Sequence, residues 1–428
     1  LVVLASCWSI GLFDISINHT SPPPRNTYAC HPPLPPLLKS SRSPANGPPF
    51  SSAAETLDAI LSLRASAPDI DSISLAVVTP SGTVFSKSYG VLKANETNPE
   101  KRGRPDEDSL YRIASISKMF TVFELMVLKE KGLVSWDDPV SKYLQGFTHN
   151  QDGWRSYISE TQLNASGQVS STRASAQQRE PITLRQLASH MAGIGLDYPP
   201  IDASSWPKSV PGDLLWLDHA VKASQAETLR TIRDIPLVAP PYTLPAYSNA
   251  GFNVLGWALA AAAGVGPEDY AMALQRDIFQ PLGLSSGFSA TKENSERVAV
   301  SSKFPFEVDY DVGSYNPSAG QFSSLRDLIT VMQTFLDPSR NNSLLSPYSM
   351  REWLRPLHGF PDDFSEIGAP WEIVKIPDSN GNTKRWYSGN FLASNSNFIF
   401  DPVSSFGVVV LMTGQYRFAL ELAIQAIQ

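Results

Sequence analysis

The two ends of this chain mirror each other, and that symmetry restricts what it can fold into. At the amino end, residues 53–67 show helical spacing, and residues 73–78 and 83–89 read as strands joined by the Thr-Pro-Ser-Gly turn at 79–82. At the carboxy end the order is reversed: strand-like residues 398–401, a turn through 402–405, the apolar run 406–412, and a helical pattern over 418–427. A long helix-rich middle lies between them. Terminal helices framing antiparallel strands predict an α/β (α+β) sandwich: an antiparallel sheet flanked by N- and C-terminal helices, carrying a helix-rich subdomain.

A chain of 428 residues, 42% hydrophobic and 18% charged, can bury a large core. Its 34 Lys and Arg face 41 Asp and Glu, for a formal net charge of −7, so no basic field is available to hold phosphate backbones. Nucleic acid is not an expected partner. Residues 1–13 are apolar but well short of the about 20 residues that a membrane span needs, and residues 19–52 are rich in Pro and Ser. We read residues 1–50 as the remnant of a signal peptide or anchor followed by an extended arm, with no stable membrane span in the mature chain. The folded domain is expected over 51–428, with a polar surface insertion at 148–180. Cys7 and Cys30 are too few for a disulfide scaffold, and neither has the context of a reactive thiolate. Asn-x-Ser/Thr sequons at Asn18, Asn95, Asn164 and Asn341 suit a secreted, N-glycosylated protein.

The chemistry concentrates at Ser115-Ile116-Ser117-Lys118, which opens an apolar helical run over 119–128. Residues three apart on a helix are neighbours, so Lys118 lies over Ser115. A lysine desolvated in an apolar helix has its pKa lowered toward that of a useful base for a serine hydroxyl. Two further copies, Ser205 to Lys208 and Ser289 to Lys292, open no apolar helix. The Tyr247-Ser248-Asn249 tripeptide leads directly into a second apolar helix. A phenol beside an ammonium is expected to have a depressed pKa and to shuttle a proton, and the Asn amide is placed to hydrogen-bond a substrate carbonyl.

Two rival chemistries fit less well. The Gly283-Leu284-Ser285-Ser286-Gly287 segment matches a nucleophile elbow in letters but follows helical residues rather than a strand, and His358 is the sole later histidine. The six histidines, at 19, 31, 149, 190, 219 and 358, show no zinc-binding spacing, so neither a metal nor any other cofactor is expected. His190 reads as a structural hydrogen-bonding residue.

The ordered pair Ser115-x-x-Lys118 and Tyr247-x-Asn249 resembles the first two signatures of the class C β-lactamases, the DD-peptidases, related esterases and the fungal acyltransferases of polyketide pathways. Residues 182–193, ending in Ser189-His190-Met191-Ala192-Gly193, and the Ala319-Gly320 turn with Asp327 are similar to supporting segments of that family. The resemblance covers roughly residues 53–428 and implies a β-lactamase/transpeptidase-like fold. It also implies a serine hydrolase that forms an acyl-enzyme on a small ester or amide substrate. An acyltransferase of secondary metabolism, or a catalytically decayed binding module, is the alternative. The third signature departs from the family: where a Lys, His or Trp is usual, Tyr387-Ser388-Gly389 is the best match, with Lys384 three residues early. By resemblance, Asn249, Tyr387, Ser388, Gly389 and Asn390 line the substrate site, and the backbone N–H groups of Ser115 and Asn390 form the oxyanion hole. A neutral Tyr387 predicts preference for acyl compounds that lack a carboxylate beside the scissile bond.

Overall fold

The structure, a computed structural model, describes residues 48–150, 181–198, 223–303, 312–377, 383–389, 395–416 and 418–427. Cys7, Cys30, Asn18, Asn164, the Ser205 to Lys208 copy and nearly all of the 148–180 insertion lie outside the described residues, as does Asn390.

Helix α1 (Pro48–Ala65) precedes the hairpin β1 (Ile70–Thr79) and β2 (Gly82–Gly90). Helix α1 starts earlier than its apolar spacing alone indicates. The reason is that prolines at its first positions have no N–H to leave unsatisfied there. The hairpin β9 (Ser396–Asp401) and β10 (Phe406–Gly414) leads into the last helix, Ala419–Ile427. The two ends meet because β10 pairs antiparallel with β1, from Ile70 opposite Gly414 to Val78 opposite Gly407. With β5 (His358–Gly359), β6 (Ser365–Ile367), β7 (Glu372–Pro377) and β8 (Thr383–Ser388), they make an eight-stranded sheet in the order β2-β1-β10-β9-β8-β7-β6-β5.

Strands β1 and β10 are buried on both faces, so alternate residues enter different cores. Ile73, Leu75, Val77, Val408 and Val410 pack with Leu57, Leu61 and Leu422 of the two terminal helices. Ala76, Val78, Val409 and Leu411 join the larger core, which is built on α2 (Ser117–Glu130) and α3 (Asn249–Ala262). Every residue of α2 from Ser117 to Leu128 is buried, so this helix runs through the centre of the subdomain. A short two-stranded ribbon, β3 (Leu110–Arg112) with β4 (Phe322–Ser324), delivers the chain to the start of α2.

Candidate active site

Ser115 sits in a 3-10 turn (Ala114–Ile116) between β3 and α2. Three contacts hold the turn. Ile113 N–H donates to the Gln321 carbonyl at 3.0 Å, the Ser396 hydroxyl donates to the Ile113 carbonyl at 2.8 Å, and the Ser117 hydroxyl donates to the Ala114 carbonyl at 2.6 Å. Gln321 N–H closes the loop by donating to Ser117 Oγ at 3.1 Å. Ala114 is held at φ 47°, a conformation costly for a residue with a Cβ and kept by these surrounding bonds. Ser115 is not the helix cap: no side-chain cap bond forms at the start of α2.

The Ser115 hydroxyl is instead met by two side chains. Lys118 Nζ lies 3.1 Å from Ser115 Oγ, and the Tyr247 hydroxyl donates to the same oxygen at 2.6 Å. Lys118 also donates to Asn249 Oδ1 at 2.7 Å and to the Ser318 carbonyl at 2.9 Å. Burial drives the Lys118 ammonium down to about 7, against the pull of the Asp197 and Glu372 carboxylates. An amide or carbonyl oxygen can only accept, whereas a hydroxyl can donate. When Lys118 is neutral, its two N–H bonds therefore go to Asn249 and Ser318, and its lone pair is left for Ser115. That arrangement suits a base.

The approach of Ser318 depends on a missing side chain. A Cβ on Gly256 of α3 would stand 2.3 Å from Pro317 Cγ, so glycine lets residues 316–319 lie close enough to offer the Ser318 carbonyl to Lys118. Helix α3 is capped by Ser248, whose Oγ accepts from Gly251 N–H at 2.8 Å. Capping by Ser248 frees the Asn249 side chain to reach inward. Its Nδ2 donates to Asp197 Oδ1 at 3.0 Å, and Tyr315 OH donates to the same carboxylate oxygen at 2.9 Å. Both ends of the Asn249 amide are thus engaged within the protein: its oxygen orients Lys118, and one of its two Nδ2 hydrogens is held by Asp197.

Tyr247 corrects a second expectation. Although 40% of the residue's surface stays exposed, desolvation pushes its phenol up rather than down, the Ser115 contact offsets only part of that, and Glu372 and Asp197 add to the rise. Tyr247 is a protonated donor, not a resident phenolate. Its ring stacks on His190 at 4.5 Å, and Lys118 Nζ lies 4.6 Å from the ring centroid. His190 Nδ1 accepts from Ser248 N–H at 3.0 Å, and burial together with the Lys118 charge holds the imidazole neutral, well below its usual pKa. It serves as a brace for Tyr247. Just beyond it, Gly193 takes φ 70°, and a Cβ there would stand 1.9 Å from the Ala239 carbonyl oxygen.

The third segment divides. Gly389 runs beside the nucleophile turn, its N–H bonded to the Phe398 carbonyl at 3.0 Å, and a Cβ built on it would be 3.9 Å from Ile116 Cγ1. Ser388 is fully buried opposite Glu372 on β7 and Ile399 on β9. Tyr387 does not face Ser115. It is 5% exposed, stacks on Phe400 at 5.5 Å, and spends its hydroxyl on the Leu354 carbonyl at 2.8 Å. Lys384 is bonded to Ser404 at 3.0 Å, and the β7–β8 register runs without a bulge, so Lys384 does not fill the cation's place either.

Sequence reasoning missed Asp197 and Glu372. Asp197 is a lone acid in the stretch Ile194-Gly195-Leu196-Asp197-Tyr198, and Glu372 interrupts the apolar Trp371 and Ile373. A solitary acid inside an apolar run was the available signal. The rival elbow serine, Ser285, lies in a loop with its hydroxyl on Asp327 and Arg297. Among the described residues no three His, Cys, Asp or Glu side chains cluster as a metal site. Among them, too, no single helix is long and apolar enough to cross a membrane. Of the described sequons, Asn95 and Asn341 are both exposed.

A serine held by a lysine one turn on and by a tyrosine from the loop leading into a second helix, beside an antiparallel sheet, defines a serine-centred site of the β-lactamase/transpeptidase fold. Residues 57–428 match the model of the Beta-lactamase family, and the chain belongs to that family. It is 34% identical over 258 residues to Beta-lactamase-like protein str5 of Strobilurus tenacellus, covering 59% of this chain and 85% of that protein. It spans 47–53% of the length of several other curated relatives. Among solved structures, a β-lactamase/D-alanine carboxypeptidase from Yersinia pestis superposes with TM-score 0.63 at 22% identity, covering 88% of this chain and 99% of that one. EstCE1, described as a hydrolase with promiscuous acyltransferase activity, superposes with TM-score 0.65 at 18% identity, covering 89% and 100%.

Proposed function

We propose that this protein is a serine hydrolase that cleaves small ester or amide substrates through an acyl-enzyme on Ser115. The observation that carries the reading is the double contact at Ser115 Oγ, 3.1 Å from Lys118 Nζ and 2.6 Å from Tyr247 OH. The Ser115 proton passes to the neutral Lys118 amine as Oγ bonds to the substrate carbonyl carbon. The proton then travels through the Lys118–Tyr247 pair to the leaving alkoxide or amine as its bond to that carbon breaks. Water, activated by the same pair, releases the acid and restores the serine.

Acyl transfer uses the same acyl-enzyme with an alcohol or amine in place of water, and the likeness to EstCE1 keeps it as the second reading. A decayed binding module is disfavoured, because a site without turnover has no need to hold a depressed lysine on a serine. Treatment with a fluorophosphonate probe followed by intact-protein mass spectrometry tests the proposal. One adduct mapped to Ser115 and absent from Ser115→Ala supports it. An adduct that persists in that variant, or that maps to Ser285, refutes it.

A further inference from the structure

We propose that Asp197 and Tyr315 are positioning residues: they decide which way round the Asn249 amide faces, and so whether the lone pair of Lys118 is available to Ser115. The proposal deepens the acyl-enzyme reading above and rests on it. An Asn amide is nearly symmetric in shape, and a half-turn about its last side-chain bond exchanges oxygen and nitrogen. With the oxygen toward Lys118, at 2.7 Å, the amine donates to Asn249 and keeps its lone pair. With the nitrogen there instead, Nδ2 would donate into that lone pair and turn an amine hydrogen toward Ser115. The lysine could not then take the serine proton.

A protonated Lys118 would itself hold the oxygen, but a neutral one accepts as well as donates, so the choice then lies with what meets the other end of the amide. Asp197 Oδ1 accepts from Nδ2 at 3.0 Å, and a carboxylate only accepts, so the turned amide would set its oxygen against another acceptor. The Asp197 segment is stapled to the start of α3. The Gly195 carbonyl accepts from Ser248 OH at 2.7 Å, and the Leu196 carbonyl accepts from the N–H groups of Asn249 and Ala250 at 2.8 and 3.1 Å.

Tyr315 OH donates to the same Asp197 oxygen at 2.9 Å, and burial together with the Asp197 charge pushes its phenol up, so it stays a donor. Tyr315 ends the 3-10 turn Gly313–Tyr315 that leads into residues 316–319. One segment thus anchors Asp197 and brings the Ser318 carbonyl to Lys118. Asn249, Asp197 and Tyr315 are all buried, which keeps bulk water from standing in for any of them.

The test measures kcat, KM and the acid limb of the pH profile on a p-nitrophenyl ester, with denaturant unfolding run on the same variants. Asp197→Ala releases the amide, and kcat should fall about tenfold with little change in KM. Tyr315→Phe should lower kcat less, again without moving KM. Asp197→Asn keeps an acceptor oxygen and should recover most of the loss seen in Asp197→Ala, while its limb moves to lower pH because a carboxylate that raises the Lys118 pKa is gone. Around Lys118, His190 stays neutral and Tyr247 protonated through this range, and Glu372 is common to every variant. Asn249→Asp sets two carboxylates against each other and should be the poorest variant. In the exchanged pair, Asn249→Asp with Asp197→Asn, the carboxylate accepts from Lys118 and the amide at position 197 donates to it. Activity should return about tenfold over Asn249→Asp, with the limb moved to higher pH.

Equal losses in Asp197→Ala and Asp197→Asn overturn the proposal, as does an exchanged pair no better than Asn249→Asp. Losses that follow unfolding stability alone, with the limb unmoved, overturn it too by making Asp197 a structural residue only. A parent that takes the fluorophosphonate label while its variants fail these comparisons defeats this inference alone. A parent with neither label nor turnover defeats the acyl-enzyme reading with it.

Discussion

Lys118 stands closer to Asn249 than to the serine it is positioned to activate, 2.7 Å against 3.1 Å. The Asn249 oxygen cannot return the bond, so it orients the lysine and leaves its lone pair for Ser115. Asp197 in turn fixes the amide by accepting from Nδ2. Asn249→Ala should therefore impair chemistry more than binding. We expect kcat to fall by about a hundredfold with a smaller change in KM, measured on a p-nitrophenyl ester. A change confined to KM would show that Asn249 binds substrate instead.

Lys118 and Tyr247 meet on one oxygen and should act as one proton-transfer unit. Lys118→Ala and Tyr247→Phe are each expected to cost about two to four powers of ten in kcat/KM. Because either loss breaks the same relay, the double variant should be little worse than the poorer single one. A double loss equal to the sum of the two, in free-energy terms, would separate their roles.

The pH profile follows from the same group. The Lys118 pKa is lowered in the folded protein, to about 7, so the neutral amine is present above that value and lost as pH falls through it. We expect kcat/KM to rise with pH through about 7, with no fall from Tyr247 below pH 9, since burial pushes its phenol upward. Glu372 titrates at about 7 beside it, so the limb belongs to the pair. The Glu372 carboxylate raises the Lys118 pKa, and its removal in Glu372→Gln should move the limb to lower pH. A shift to higher pH would contradict the assignment.

Gly256→Ala tests how packing sets the site from a distance. The added Cβ would press on Pro317, 2.3 Å from its Cγ, with overpacking expected to cost about 1–3 kcal/mol in denaturant unfolding. Pushing residues 316–319 outward also removes the Ser318 carbonyl from Lys118, so kcat should fall with stability. Full activity in a destabilised variant would show that Ser318 is dispensable.

Much of this protein is determined locally. The terminal hairpins were legible because short apolar runs joined by turn residues are a local signal, and helical spacing brought Lys118 over Ser115 although Ser115 itself lies in the 3-10 turn that precedes α2. The pairing of Tyr247 with Ser115 is separated by 132 residues and entered by resemblance to a family, not by spacing. Only the tertiary structure decided what the surrounding groups do. It turned Tyr387 into the core, committed Asn249 to Lys118 and Asp197, and raised the Tyr247 phenol. The physical reason is that strand register chooses the face each side chain takes, and burial chooses its protonation. Both depend on partners brought from far along the chain.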